Sequence, residues 1–176
     1  MHSVYEKIRT ITTFDKVKNT KTYTVDEAKL ALEKFCIYQD RCHQDVLNKL
    51  YKMNMITEAQ EVILFHLIQH DFLNEERFAK SFARGKFYQK KWGKFKITNQ
   101  LKFKKISLAN IKTALLEINQ EDYLETLKKL ADKKLQQVKA TNVFEKRKKV
   151  TYFLQSKGYE LSLIINILDD LLSKNN

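Results

Sequence analysis

The stretch Leu101-Lys102-Phe103-Lys104-Lys105-Ile106 reads as the end of one helix and the turn that follows it, and it has two counterparts elsewhere in the chain. Leu50 stands five residues before Met55 and Leu154 five before Tyr159, so one leucine-to-apolar landmark recurs at offsets of 51 and 53 residues. A second landmark, Phe82-Ala83 with Lys86, matches Leu130-Ala131 with Lys134 at an offset of 48. A period of about 50 residues marks a tandem repeat whose units bury their open apolar faces on their neighbours.

Within each unit the apolar residues recur at helical spacing. Ala28, Leu32 and Phe35 form one stripe, Val46, Leu50 and Met53 the next, and Thr57 opens a third as its N-cap, with Ala59, Val62, Ile63 and Leu67 behind it. Three more stripes follow at Phe78, Phe82 and Ala83, at Ile97 and Leu101, and at Ile111, Ala114 and Leu115 after Ser107. The last three carry Tyr123, Leu127 and Leu130, then Val150, Phe153 and Leu154, then Leu161, Ile164, Ile165 and Leu168. The expectation is an all-α protein of three tandem three-helix repeats, forming an elongated, curved solenoid. Its parts are a flexible N-terminal arm over 1–23 and repeats over 24–73, 74–120 and 121–176. Gly93 and Gly158 are expected at φ > 0 after helices. Gly85 lies inside a helical pattern, where close approach of a backbone or a bend is the expected reason for it.

The composition agrees. The 176 residues contain no proline and three glycines, with 43 % hydrophobic and 11 % aromatic residues, which starves a sheet of turns and provides enough apolar surface for a core. No apolar run approaches the roughly 20 residues of a membrane span, and Met1–Thr10 has no apolar signal core, so the expected location is the cytoplasm. Cys36 and Cys42 are too few for a disulfide scaffold and are expected as buried free thiols.

Charge is the most informative local feature. Thirty-three basic residues face 21 acidic ones, a net of +12, and Arg77–Leu116 accounts for all of it. That segment holds Arg77, Lys80, Arg84, Lys86, Lys90, Lys91, Lys94, Lys96, Lys102, Lys104, Lys105 and Lys112, without one Asp or Glu. By contrast, Asp26–Glu76 holds ten acids and five bases, and Ile118–Lys157 ten bases and five acids. Concentrated basic charge points to a polyanionic or acidic partner, with a plain solvated face as the alternative. Phe82, Phe87, Tyr88, Trp92, Phe95 and Phe103 are interleaved with these cations, a mixture that can contact phosphates and stack on bases or can simply fill a core.

Enzymatic motifs are lacking. Gly85 and Gly93 are too far apart for a phosphate loop, so no nucleotide site is expected. His66 and His70 stand at i and i+4, yet Leu67 occupies the place of a zinc protease's catalytic Glu, and no third ligand presents itself. Cys36, Cys42 and His43 lack an orienting carboxylate and an oxyanion hole, while adjacent Asp169 and Asp170 point apart on a helix. No catalytic residue, metal or cofactor is expected.

Phe72-Leu73-Asn74-Glu75-Glu76-Arg77-Phe78-Ala79 resembles the most recognisable stretch of the RecX family of bacterial recombination regulators. Trp92-Gly93-Lys94-Phe95-Lys96-Ile97, with Leu101 and Ile106-Ser107 after it, resembles that family's second-repeat string, and Phe153-Leu154-Gln155-Ser156-Lys157-Gly158-Tyr159 with Ile164 resembles its closing motif. The likeness covers roughly Thr24–Leu172. Asn54 and Lys105 depart from it, standing where the family often has glycine, as does Asn74-Glu75, which replaces a commoner pair of aspartates.

The resemblance implies a non-enzymatic modulator of the RecA recombinase. Such a protein lodges in the helical groove of the RecA filament on single-stranded DNA, bridges protomers, and inhibits filament growth, ATP hydrolysis and strand exchange in recombination, repair and the SOS response. The partner is then the RecA filament, with single-stranded DNA as a second contact, no membrane, and a monomeric regulator. The residues expected to contact RecA or DNA are Arg77, Lys80, Arg84, Lys86, Lys90, Lys91, Lys94, Lys96, Lys102, Lys104 and Lys105. The rival reading is a stand-alone helical DNA- or RNA-binding protein using the same segment 77–116.

Overall fold

The computed structural model describes residues 22–173, and among these residues all regular structure is helical. The helices are α1 (Val25–Tyr38), α2 (His43–Lys52), α3 (Thr57–Gln69), α4 (Glu75–Lys90), α5 (Lys94–Phe103), α6 (Leu108–Leu115), α7 (Gln120–Gln137), α8 (Val143–Lys157) and α9 (Leu161–Ser173). The arm expected over residues 1–23 lies, as far as Lys21, outside the described residues. The body opens at Thr24, whose side chain and that of Glu27 close a reciprocal capping box. Asn74, Ser107, Asn119 and Asn142 cap α4, α6, α7 and α8 through side-chain oxygens. Thr57 is different: Ile56 occupies the N-cap of α3 without a side-chain bond, and Thr57 is already helical.

The landmark pairs of the sequence are joined by hydrogen bonds. The N–H groups of Met55, Ile106 and Tyr159 donate to the carbonyls of Leu50, Leu101 and Leu154 at 3.2, 3.1 and 3.2 Å. Each bond wraps the end of a second helix back on itself, as in a Schellman turn, and requires a left-handed residue just before the donor. Those residues are Asn54 (φ 55), Lys105 (φ 60) and Gly158 (φ 93). One turn geometry thus occurs three times, at Gly158, at Asn54, which tolerates left-handed backbone, and at Lys105, whose side chain left-handed backbone disfavours.

In each triplet the first helix packs on the third. The interior forms two clusters. One holds Ala28, Leu32, Cys36, Val46, Leu50, Met53, Ile63, Leu67 and Leu73 from α1–α3 and the turns beside them. The other runs without a break through α4–α9, from Phe78 and Phe87 through Ile97, Leu101, Tyr123 and Leu127 to Leu154, Ile164 and Leu168. Cys42, ahead of α2, belongs to this second cluster and pins the first triplet to it. Burial of one unit's open face on the next therefore describes the second and third triplets, whereas the first has an apolar interior of its own. Both cysteines are buried free thiols, and burial pushes each thiol above its ordinary value.

The second and third triplets meet backbone to backbone. The Gly93 N–H donates to the Lys157 carbonyl at 2.9 Å and the Phe95 N–H to the Gly158 carbonyl at 3.1 Å, seating the start of α5 on the end of α8. A Cβ at Gly93 would fall 2.2 Å from the Gly158 oxygen, and one at Gly158 would fall 2.4 Å from Cβ of Lys96. The expected positive φ at Gly93 is therefore corrected. Its φ is −76°, and Lys91 (φ 54) makes the left-handed turn at the end of α4. Gly93 is needed for close approach, and only Gly158 is needed for both approach and φ. Tyr123 sits beneath this contact, its hydroxyl donating to Glu160 at 2.6 Å and accepting from the Lys94 N–H at 3.0 Å. Burial and the Glu160 carboxylate push that hydroxyl far above its ordinary value, so it stays a neutral donor.

Gly93→Ala should cost at least about 3 kcal/mol of stability, since two backbones must separate. Lys105→Gly should instead stabilise by about 0.5 kcal/mol, because relief of left-handed strain slightly exceeds the added unfolded-state entropy. Urea titrations of both variants read these opposite signs. A chain truncated after Gln120 should aggregate or lose cooperative unfolding, because Phe87, Ile97 and Leu101 lose the cover of α7–α9.

Candidate partner-binding face

The basic segment divides by what its side chains touch. Arg77 donates through Nε to Asp40 at 2.9 Å and through Nη1 to Asp71 at 2.6 Å, and it also holds the carbonyl of Asp71. Lys104 meets Asp45 at 2.8 Å, Lys80 meets Glu76 at 2.7 Å, and Arg84 meets Glu117 at 2.6 Å. Two of these contacts, Arg77 with Asp40 and Lys104 with Asp45, cross from the second triplet to the first. Glu75 adds a bond that ties α4 to the start of α6, accepting from the Ser107 N–H at 2.8 Å. Four of the eleven expected contact residues thus have carboxylate partners inside the chain.

Three more are held by aromatic or polar neighbours. Lys86 and Lys96 place their ammonium groups 5.1 and 4.9 Å from the Trp92 ring, and Lys96 also donates to the Ser156 carbonyl. Lys94 lies over Tyr123 and donates to Gln120. The remaining four, Lys90, Lys91, Lys102 and Lys105, are exposed and have no carboxylate partner among the described residues, as has Lys112. They lie at the end of α4 and along and after α5.

The aromatics divide likewise. Phe87 is buried, and Phe82 and Trp92 are half-buried beneath lysine ammonium groups. Phe95 and Phe103 are 58 % and 82 % exposed. With Lys102 they occupy the solvent side of α5, opposite buried Ile97 and Leu101. Tyr88 is partly exposed and donates to Asp122 at 3.0 Å. Arg41, one of the five bases of the acidic stretch and not among the expected contact residues, places its guanidinium 3.9 Å from the Phe35 ring centroid, and its Nε donates to the Phe35 carbonyl.

The other candidates are engaged structurally. His66 shares a 2.6 Å hydrogen bond with Glu33, and His70 Nδ1 bonds the His66 carbonyl. Asp169 pairs with Arg147. Among the described residues no group of three or more ligating side chains could hold a metal ion, and no helix is long and apolar enough to cross a membrane.

Residues 74–115 match the second three-helix domain of RecX, and residues 120–168 match its third. A regulatory protein RecX from Vibrio parahaemolyticus is 32 % identical over 122 residues, 69 % of this chain and 74 % of that protein. The chain belongs to the RecX family. Another RecX, from Lactobacillus johnsonii, is 26 % identical over 158 residues, 89 % of this chain and 58 % of its own length. Alignment with that of Clostridium acetobutylicum takes in 64 % of the relative, so the chain spans about three-fifths of these two. A crystal structure of regulatory protein RecX superposes with a TM-score of 0.75 at 26 % identity, covering 82 % of this chain and 73 % of that one. RecX from Lactobacillus salivarius, at 23 % identity, shares the fold, with a TM-score of 0.74 over 84 % and 96 % of the two chains. Asn54 and Lys105, the departures from the family pattern, are two of the left-handed sites among the described residues, and glycine would occupy either without strain.

Charge reversal should separate the two sets of cations. Lys90→Glu, Lys91→Glu, Lys102→Glu and Lys105→Glu together should leave the circular dichroism spectrum and thermal midpoint within about 3 °C of the parent, since surface changes cost little. Arg77→Ala alone should lower the midpoint by more than that quadruple change, because Asp40 and Asp71 lose their partner.

Acid should weaken the contacts of Asp45 and Glu75. Burial raises the Asp45 carboxyl, but hydrogen bonds from Lys104 and Cys42 outweigh it and hold Asp45 below its ordinary 3.8. Glu75 is likewise raised by burial yet held below 4.5 by Ser107 and Asn110. Both folded-state values lie below the unfolded ones, so this stabilisation is complete above about pH 5 and is lost as pH falls through those values. Denaturant midpoints should drop between about pH 5 and pH 3, and Asp45→Asn should flatten that drop.

Proposed function

We propose that this chain binds RecA filaments on single-stranded DNA in their helical groove and restrains filament growth, ATP hydrolysis and strand exchange, acting as a non-enzymatic, monomeric cytoplasmic regulator. The carrying observation is the separation within the basic segment. Arg77, Lys80, Arg84 and Lys104 are neutralised within the chain, while Lys90, Lys91, Lys102 and Lys105 are exposed without a carboxylate partner among the described residues, and Phe95 and Phe103 are exposed on α5. Exposed cations at the end of one helix and along the next suit a groove walled by acidic protein surface and DNA phosphates. Lys86, Lys94 and Lys96 support this face by fixing Trp92 and the start of α5. The family relationship supplies the expectation of a regulatory role, and the engaged histidines and absent phosphate loop favour action through a partner.

The exposed Phe95 and Phe103 also suit stacking on unpaired bases, which favours direct nucleic-acid binding as a second reading. A titration against preassembled RecA filaments distinguishes them. Inhibition of ATPase at amounts far below RecA is the expected result, because one molecule contacting two protomers can obstruct the change each cycle needs. Inhibition only near saturation of the DNA, or none on preformed filaments, would favour the second reading. The quadruple Lys90, Lys91, Lys102 and Lys105 reversal should raise the half-inhibitory concentration at least about tenfold and flatten its salt dependence.

A further inference from the structure

Among the described residues nothing calls for a glycine at position 85. Gly85 lies in the unbroken helix α4, where glycine is the poorest helix former after proline, and a Cβ built there meets no atom within 4 Å. Neither packing nor backbone conformation calls for it, unlike Gly93 and Gly158. Gly85 lines a groove of about 410 Å³ between α4 and the connection from α1 to α2. Around it stand Gln39, Arg41, Lys86, Gln89 and Lys90. The two carboxylates in the wall, Asp40 and Asp45, are already matched by Arg77 and Lys104. Arg41, Lys86 and Lys90 have no carboxylate partner among the described residues, Lys86 lying over the Phe82 and Trp92 rings, so the groove presents three cations without a counter-charge around the one lining residue that lacks a side chain.

We infer that this groove receives an extended acidic segment of a protein partner, its main chain lying against Gly85 and its carboxylate side chain held by Arg41, Lys86 and Lys90. Arg41 is oriented for this role, since stacking on Phe35 and the bond to the Phe35 carbonyl fix its guanidinium. Gln39 and Gln89 are exposed, and their amides have no side-chain partner among the described residues. Each offers a donor and an acceptor, which matches a peptide backbone. A phosphodiester backbone offers acceptors alone. Stacking is also unprovided for: Phe78 is buried and Phe82 is half-buried under the Lys86 ammonium group. The absent Cβ lets a backbone approach the helix more closely than any other residue permits.

The inference rests on the RecA reading for the identity of the partner, and the test keeps the two apart. Gly85→Ala and Gly85→Gln both improve helix propensity and fill open space, so each should fold with an unchanged or raised thermal midpoint. Binding is then measured to preassembled RecA filaments and, separately, to a bare single-stranded oligonucleotide. The expected result is a loss of filament affinity of at least about tenfold for Gly85→Gln, a smaller loss for Gly85→Ala, and unchanged oligonucleotide binding. Arg41→Gln should weaken filament binding in the same direction. Unchanged filament affinity in Gly85→Gln would overturn the groove assignment while leaving the RecA reading intact. Equal losses on both probes would assign the groove to a nucleic-acid backbone and overturn the acidic-peptide occupant. A parent chain that fails to bind filaments would remove both readings.

Discussion

Two backbones touch at Gly93 and Gly158, and the arrangement of the last six helices depends on that contact. A side chain at either position would collide with backbone or with Lys96, so the start of α5 can be carried on the end of α8 only if both residues lack one. With the contact in place, Tyr123 reaches the Lys94 N–H and Glu160 together, and its ring lies tilted against those of Phe87 and Tyr159. The continuous core from Phe78 to Leu168 follows, and so does the outward direction of α5. Phe95, Lys102 and Phe103 face solvent because Ile97 and Leu101 are drawn inward.

Electrostatics organise the opposite boundary. The first triplet is acidic and the second basic, and the two meet through Arg77 with Asp40 and Lys104 with Asp45. Charge that looks available to an external partner when counted along the chain is partly spent here. These pairs are half-exposed, so their worth lies in fixing orientation as much as in stability. Cys42 reaches from the first triplet into the second core, and its Sγ donates to Asp45 at 3.1 Å, joining the apolar and ionic parts of the boundary.

The cations without a carboxylate partner among the described residues include Arg41 and Lys90 at the groove beside Gly85, Lys91 at the turn after α4, and Lys102 and Lys105 along and after α5, where Phe95 and Phe103 are exposed. Such an arrangement suits a partner with acidic protein surface and phosphates in proximity. Cys36 and Cys42 are buried in the two cores, and His66 and His70 are hydrogen-bonded within the first triplet.

The sequence by itself determined the helices, the threefold recurrence and the turn that closes each second helix. These depend on residues within five or six positions of each other, as in the bond from Met55 back to Leu50, so periodicity and turn chemistry are enough to read them. It also located the basic segment, because a count needs no coordinates. Gly93 shows where local reading ends: glycine after a long helix suggests positive φ, yet the reason for it is a carbonyl 65 residues away at Gly158. The division of the cations is of the same kind. Arg77 and Asp40 are 37 residues apart, and Lys104 and Asp45 are 59 apart. Only tertiary structure decided which lysines and arginines are neutralised, because an ion pair depends on a few ångströms through space and leaves no periodic trace along the chain.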